Sequence, residues 1–549
     1  MKLPIPPLSG APSAAYLGPG AVLIGHDFGQ VWLAMIFRKT LLTVLMLALV
    51  APLAGAQERG PRPERQEQRQ EQRQERQEQR REAQNDNQRD PQGVLRLLPG
   101  DSVTDKQINV GGRTLAYTAT AGTLSLYDQT GERSAAIYYT AYTLKGADRA
   151  TRPVTFAFNG GPGAASVFLS LGMAGPRIAD FGPAGNDGAA AKLVDNPDTW
   201  LAFTDLVFID PVGTGWSRAT KADGGKPFWN VQSDAQSLAK VVALYVAHNS
   251  RTGSPKYLLG ESYGGFRAAK VARALQADQG IIVSGIVMVS PLIEASYTFG
   301  GQQSPFAAAL TLPSYAASEL ERAKKFSPEA MAEAEHFALN EYLTTLAGPQ
   351  PAGERAQAFY EKIGQMTGLP AEEVAKSRGY IRGAYMRKHR SQGLQFSSYD
   401  ATFTIPDPHP DGGGRVGDPM LDGFVRALSG LYVGYARDEL GFKTDMTYIL
   451  LNRELNWDWG GNRDRQGVSD DLSALLALDP SFRLLVAHGR SDLVTPYGVS
   501  RYLVDQIAPL GVNGRAQVKA YRGGHMFYFD AESRRAFTEE ARNFYRIAS

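Results

Sequence analysis

Lys256-Tyr257-Leu258-Leu259-Gly260-Glu261-Ser262-Tyr263-Gly264-Gly265-Phe266 is the stretch on which the fold turns. The apolar run Tyr257 to Leu259 has strand length and leads into Gly260, and a helical run begins near Gly265. Gly260-Glu261-Ser262-Tyr263-Gly264 is the only G-x-S-x-G in the chain. A serine on a tight strand-to-helix turn projects from a strained backbone, and small residues on either side make the turn possible. The helix N-terminus beneath it carries partial positive charge, which favours a developing oxyanion. The pentapeptide alone is a common pattern. The strand before it and the helix after it make Ser262 a candidate nucleophile.

The same grammar recurs on both sides. Val154 to Phe158 runs into Asn159-Gly160-Gly161-Pro162-Gly163, and Leu206 to Ile209 into Asp210-Pro211-Val212-Gly213. Ile286 to Val289 runs into Ser290-Pro291, and Leu484 to Ala487 into His488-Gly489. Short, continuous apolar runs suit strands buried on both faces of a parallel sheet. Helical stretches such as Gln232 to His248 and Phe266 to Ala277 lie between them. Alternating strands and helices imply an α/β fold with a mostly parallel central sheet and sites at the strand C-terminal ends. Upstream, residues 101 to 145 alternate polar and apolar positions around Gly111-Gly112 and Thr130-Gly131, which predicts β-hairpins. Residues 93–300 and 446–549 form two parts of this core. Residues 301–445 are rich in Ala and Glu at helical spacing and read as a helical cap insertion. Asp407, His409 and Asp411, in a Pro- and Gly-rich loop of the insertion, read as solvated and not as a metal site.

A nucleophilic serine needs a base, and the base needs an orienting acid. His336, His389 and His409 fall in the insertion. His525 follows the strand-like Gln517 to Tyr521 within Arg522-Gly523-Gly524-His525, where glycines let a loop swing the ring over the turn. Asp492 follows the run Leu484 to Ala487 by a short turn. The order Ser262, Asp492, His525 is that of an α/β-hydrolase. His488 is the rival base. The oxyanion needs two backbone N–H groups, one from Tyr263 and one from the glycine-rich loop, for which Gly161 is the choice.

Five motifs in order, Asn159 to Gly163, Asp210 to Ser217, Gly260 to Gly265, Gly489 to Asp492 and Gly523 to His525, resemble the serine carboxypeptidase family over roughly residues 95–549. The resemblance implies an α/β-hydrolase fold with a helical insertion. It implies Ser262, Asp492 and His525 as the triad and Gly161 and Tyr263 as the oxyanion hole. Relatives release the C-terminal residue of peptides, usually at acidic pH, and by resemblance Asn159 and Glu261 bind the substrate carboxylate. Peptide substrates are implied; no cofactor or metal is. Two positions depart from the family: Met173 stands where a second Glu is usual, and Ala164 where a Cys is. Nearby Arg177 could supply a charge-assisted contact instead. An esterase or acyltransferase on the same scaffold, or a non-catalytic binding protein, are the alternative readings.

Composition narrows the field. The 549 residues carry 58 basic and 56 acidic side chains, a balance without the clustered basic surface that nucleic acid requires. With no cysteine, disulfides, thiolate metal sites and cysteine nucleophiles are excluded. Residues 35–56 hold Arg38 and Lys39, the apolar run Leu41 to Val50, and Ala54-Gly55-Ala56. These are the three parts of a cleaved signal peptide, and the run is too short for a stable membrane anchor. Export to the periplasm or exterior is expected, with Gln57 as the first mature residue. Residues 1–34 read as an upstream extension preceding a second start at Met35. Residues 57–92, rich in Arg, Glu and Gln, lack an aliphatic stripe and read as a disordered linker.

Overall fold

The computed structural model describes residues 93–182, 188, 190–221, 225–299, 304–411, 417–508 and 514–547. The signal-peptide and linker readings, residues 1–92, lie outside the described residues.

The alternating segment forms an antiparallel meander of β1 (Ser102–Val110), β2 (Arg113–Tyr127) and β3 (Arg133–Leu144). Gly111 and Gly112 close the first hairpin with φ of +56° and +78°. A two-residue turn matched to strand twist requires this pair of left-handed residues. The apolar runs follow as β4 (Val154–Phe158), then the outlying pair β5 (Arg177–Asp180) and β6 (Lys192–Asp195), then β7 (Asp205–Ile209) and the short β8 (Arg218–Ala219). Next come β9 (Lys256–Glu261) and β10 (Gly285–Val289). The small pair β11 (Leu394–Phe396) and β12 (Thr404–Pro406) precedes β13 (Arg483–Gly489) and β14 (Ala516–Tyr521).

The main sheet runs β1-β2-β3-β7-β4-β9-β10-β13-β14, with β8 beside β3. Every pairing from β7 to β14 is parallel. The α/β-hydrolase fold is therefore present, a mostly parallel sheet with an antiparallel meander on one side. Successive residues of the central strands point to opposite faces. Leu258 packs with helices Val231–His248 and Tyr263–Gln279, and Leu259 with Phe537 and Phe544 of the C-terminal helix Ala531–Ile547. Parallel strands covered on both faces have no polar side, which is why these runs are uniformly apolar.

Between β10 and β13 the chain is mainly helical. The helices Pro305–Arg322, Pro328–Phe337 and Pro419–Asp438 each begin with proline after a side-chain cap from Ser304, Ser327 and Asp418. Proline loses nothing at that position, because its missing N–H would have had no helical partner. The earlier helices enclose a cluster of their own around Leu312, Tyr342, Phe359 and Ile363. The last, Pro419–Asp438, instead buries Leu428, Tyr432 and Tyr435 against the sheet. Among the described residues no helix is long and apolar enough to cross a membrane.

Candidate active site

Ser262 sits between the end of β9 and the helix Tyr263–Gln279 with φ 60° and ψ −127°, a region sparsely populated by any residue with a side chain. Three backbone hydrogen bonds hold it there. Its N–H donates to Val289 O (2.9 Å), and its carbonyl accepts from Gly265 (3.0 Å) and Leu292 (3.1 Å). The flanking glycines are required by close approach. A Cβ on Gly260 would lie 2.0 Å from Gly264 O, and one on Gly160 would lie 2.6 Å from the Tyr263 nitrogen. The elbow and the glycine-rich loop after β4 thus touch backbone to backbone. The Gly161 and Tyr263 N–H groups have no hydrogen-bond partner among the described residues. Both residues line one cavity of about 220 Å³ with Ser262, His525, Glu261 and Asn159.

The His525 ring is buried, with Nδ1 2.8 Å from Asp492 Oδ2. Asp492 is fully buried, and each of its oxygens has donors. Oδ1 accepts from Val494 N (2.8 Å) and Thr495 N (3.1 Å), and Oδ2 from the Thr495 hydroxyl (2.8 Å). Burial opposes charge on His525. The Asp492 carboxylate and its hydrogen bond outweigh that, and the net effect holds the imidazole above its ordinary pKa. His488, the rival base, is committed elsewhere: its Nε2 meets Ser500 Oγ at 2.8 Å, and burial pushes its pKa down to about 4.

Glu261 is buried beside the serine, and burial pushes its carboxyl up to about 7 against the opposing effects of His525, Tyr528 and Asn159. Its Oε2 accepts from Asn159 Nδ2 (2.7 Å) and from the Tyr528 hydroxyl (2.8 Å). With two donors on Oε2, the proton belongs on Oε1, where it can be donated to a ligand. Asn159 is itself fixed: its Oδ1 accepts Leu169 N–H (3.1 Å), and its carbonyl accepts from Arg267 Nη1. Arg267 is in turn paired with Asp234 (2.7 Å), both buried. The Asp210 motif serves the same loop, since Asp210 Oδ1 accepts the Ser166 N–H (2.8 Å).

Residues 116–347 match the family model described as serine carboxypeptidase. Over that segment the chain is similar to serine carboxypeptidases. It is 33% identical to a serine carboxypeptidase of Caenorhabditis elegans (ctsa-3.1) over 21% of this chain and 19% of that protein. It is 28% identical to serine carboxypeptidase-like 36 of Arabidopsis thaliana over 28% of this chain and 31% of that one. These matches thus span about a fifth to a third of the length of these curated relatives. In fold it is similar to the prohormone-processing carboxypeptidase Kex1(delta)p of Saccharomyces cerevisiae. That match has a TM-score of 0.50 at 14% identity and covers 78% of this chain and 91% of that one.

Against the family pattern, Met173 is fully buried within the core and does not line the cavity. Arg177 pairs with Asp195 (2.5 Å) and Glu439 (3.1 Å) and does not line it either, so it supplies no contact there. Three residues escaped the sequence reading. Thr495 bonds Asp492, and Tyr528 bonds Glu261. Tyr399, from the insertion, accepts the His525 N–H on its carbonyl (2.5 Å) and sets its ring edge-on to the imidazole at 5.1 Å. Thr495 and Tyr528 each follow a motif residue by three positions, a weak signal. Tyr399 is far from His525 in sequence and left none.

Proposed function

We propose that the chain is an exported serine carboxypeptidase that releases C-terminal residues from peptides through an acyl-enzyme. The supporting observation is the buried Glu261 carboxyl, held by Asn159 and Tyr528, in the same cavity as Ser262 and His525. A protonated carboxyl presented next to a nucleophile suits a substrate with a free carboxylate. The substrate's terminal carboxylate accepts from Glu261 Oε1. Ser262 Oγ attacks the last peptide carbonyl while His525 takes its proton, and Asp492 holds the Nδ1–H tautomer. Negative charge on the carbonyl oxygen is met by the Gly161 and Tyr263 N–H groups. His525 then protonates the departing amine, and water, activated by the same imidazole, releases the acyl group. Blocked dipeptides with free and with amidated C-termini, assayed beside simple esters, test this. Equal rates on free and amidated substrates would favour an esterase instead.

The pH dependence follows from Glu261. It donates only when protonated, and burial raises its pKa to about 7. KM for free-carboxylate peptides is expected to rise by about tenfold per pH unit once pH passes that value, as an anionic Glu261 repels the substrate carboxylate. Amidated peptides and esters should show no such rise. Glu261→Gln should flatten the peptide curve; a curve unaltered by that change would move carboxylate recognition elsewhere.

Export rests on residues 35–56 of the sequence. Mass spectrometry of the mature protein should find Gln57, free or cyclised, at the N-terminus. A cytoplasmic product retaining residues 35–56 would refute this.

A further inference from the structure

Among the described residues lining the cavity, Arg463 is a strong cation that the chemistry above does not use. Arg463 lines it from a short turn, Arg463–Arg465, which Asn462 caps by accepting the Asp464 N–H (2.9 Å). Its guanidinium lies 3.6 Å from the centroid of the Phe299 ring and 5.6 Å from that of Trp459. Arg463 is exposed overall, and among the described residues no carboxylate reaches it within ion-pair distance, so the two rings are its recorded partners. Stacking fixes the plane of a guanidinium and leaves its N–H edge available, the geometry that takes a carboxylate by two parallel hydrogen bonds.

Arg463 belongs to a different wall from Glu261. Trp459, on which it stacks, packs edge-on against the Tyr263 ring at 5.4 Å. Tyr263 follows Ser262 and Glu261 precedes it, so Arg463 and Glu261 flank the nucleophile through different neighbours. Glu261 is tied to Asn159 and Tyr528, and Arg463 to Trp459 and Phe299.

We propose that Arg463 reads an acidic side chain on the residue N-terminal to the scissile bond, so that the preferred substrates are peptides with Asp or Glu in the penultimate position. The direction of the peptide rests on the carboxypeptidase reading above. With the terminal carboxylate on Asn159 and Glu261, the acyl part extends past Tyr263 towards the wall that carries Arg463. A carboxylate there meets a guanidinium held against two rings and paired with no carboxylate among the described residues; its amide isostere forfeits the charge-assisted pair.

Blocked dipeptides with a common C-terminal leucine and penultimate Glu, Gln, Leu or Lys test this, together with nitrophenyl esters of blocked Glu and Gln. The parent is expected to favour Glu over Gln by about 30-fold in kcat/KM on both peptides and esters. Arg463→Gln should erase that preference while leaving the Gln and Leu substrates within about threefold of the parent. Arg463→Glu should shift preference to Lys. No Glu preference in the parent overturns the proposal. So does an Arg463→Gln variant that loses all free-carboxylate peptides equally and keeps every ester, for Arg463 would then hold the terminal carboxylate. Failure of the carboxypeptidase reading looks different: free-carboxylate peptides go uncut, while the Arg463-dependent Glu preference persists on esters.

Discussion

Replacing Ser262 with alanine is expected to reduce turnover of peptides and esters alike by about five orders of magnitude and to abolish labelling by an organofluorophosphonate. The loss is large because the surrounding parts act only through the serine oxygen. His525 is buried and oriented by Asp492, and the Gly161 and Tyr263 N–H groups have no partner among the described residues, yet none of them forms a bond to the substrate acyl carbon. Alanine leaves the elbow intact, since the contacts that hold Ser262 at its strained angles are made by backbone atoms. An unchanged melting temperature with lost labelling would locate the defect in chemistry. Undiminished labelling of the variant would remove Ser262 from the role.

Arg267→Ala is expected to destabilise the fold by about 3–5 kcal/mol, because it leaves Asp234 charged, buried and alone. Burial already raises the Asp234 pKa despite its partner. A buried ion pair is, however, weak net stabilisation, and an apolar replacement of both members often costs little. The double variant Arg267→Met with Asp234→Leu should therefore regain most of the lost stability in urea unfolding. It should not regain activity. Arg267 also donates to the Asn159 carbonyl, which anchors the loop carrying Gly161 and the amide that holds Glu261. A double variant as active as the parent would reduce Arg267 to a counter-ion for Asp234.

The parts of this molecule that were readable one segment at a time are those with a local physical cause. Strands buried on both faces must be continuously apolar, so β4, β7, β9, β10 and β13 announced themselves. An elbow requires glycines around its serine, so Ser262 and the loop beginning at Asn159 could be found from spacing. His525 and Asp492 followed from chain order once the strands were placed. The carboxyl at Glu261 was legible only through resemblance; its raised pKa comes from burial, a property that no residue has in isolation.

Contacts between distant segments lay beyond that reach. Tyr399 meets His525 because a segment of the insertion folds back over β13 and β14, where Ala401 N–H bonds Ser491 O and Leu493 N–H bonds Ser398 O. Arg177 and Arg463 are alike as letters in a sequence. One is spent on Asp195 and Glu439, and the other faces the cavity between two rings, and only packing distinguishes them. The sequence by itself determined the α/β-hydrolase core and where in the chain the candidate serine, histidine and aspartate lie, because backbone constraints and two-faced burial leave local marks. Only the tertiary structure decided which charges are satisfied and which remain available, because pairing and desolvation depend on neighbours far away along the chain.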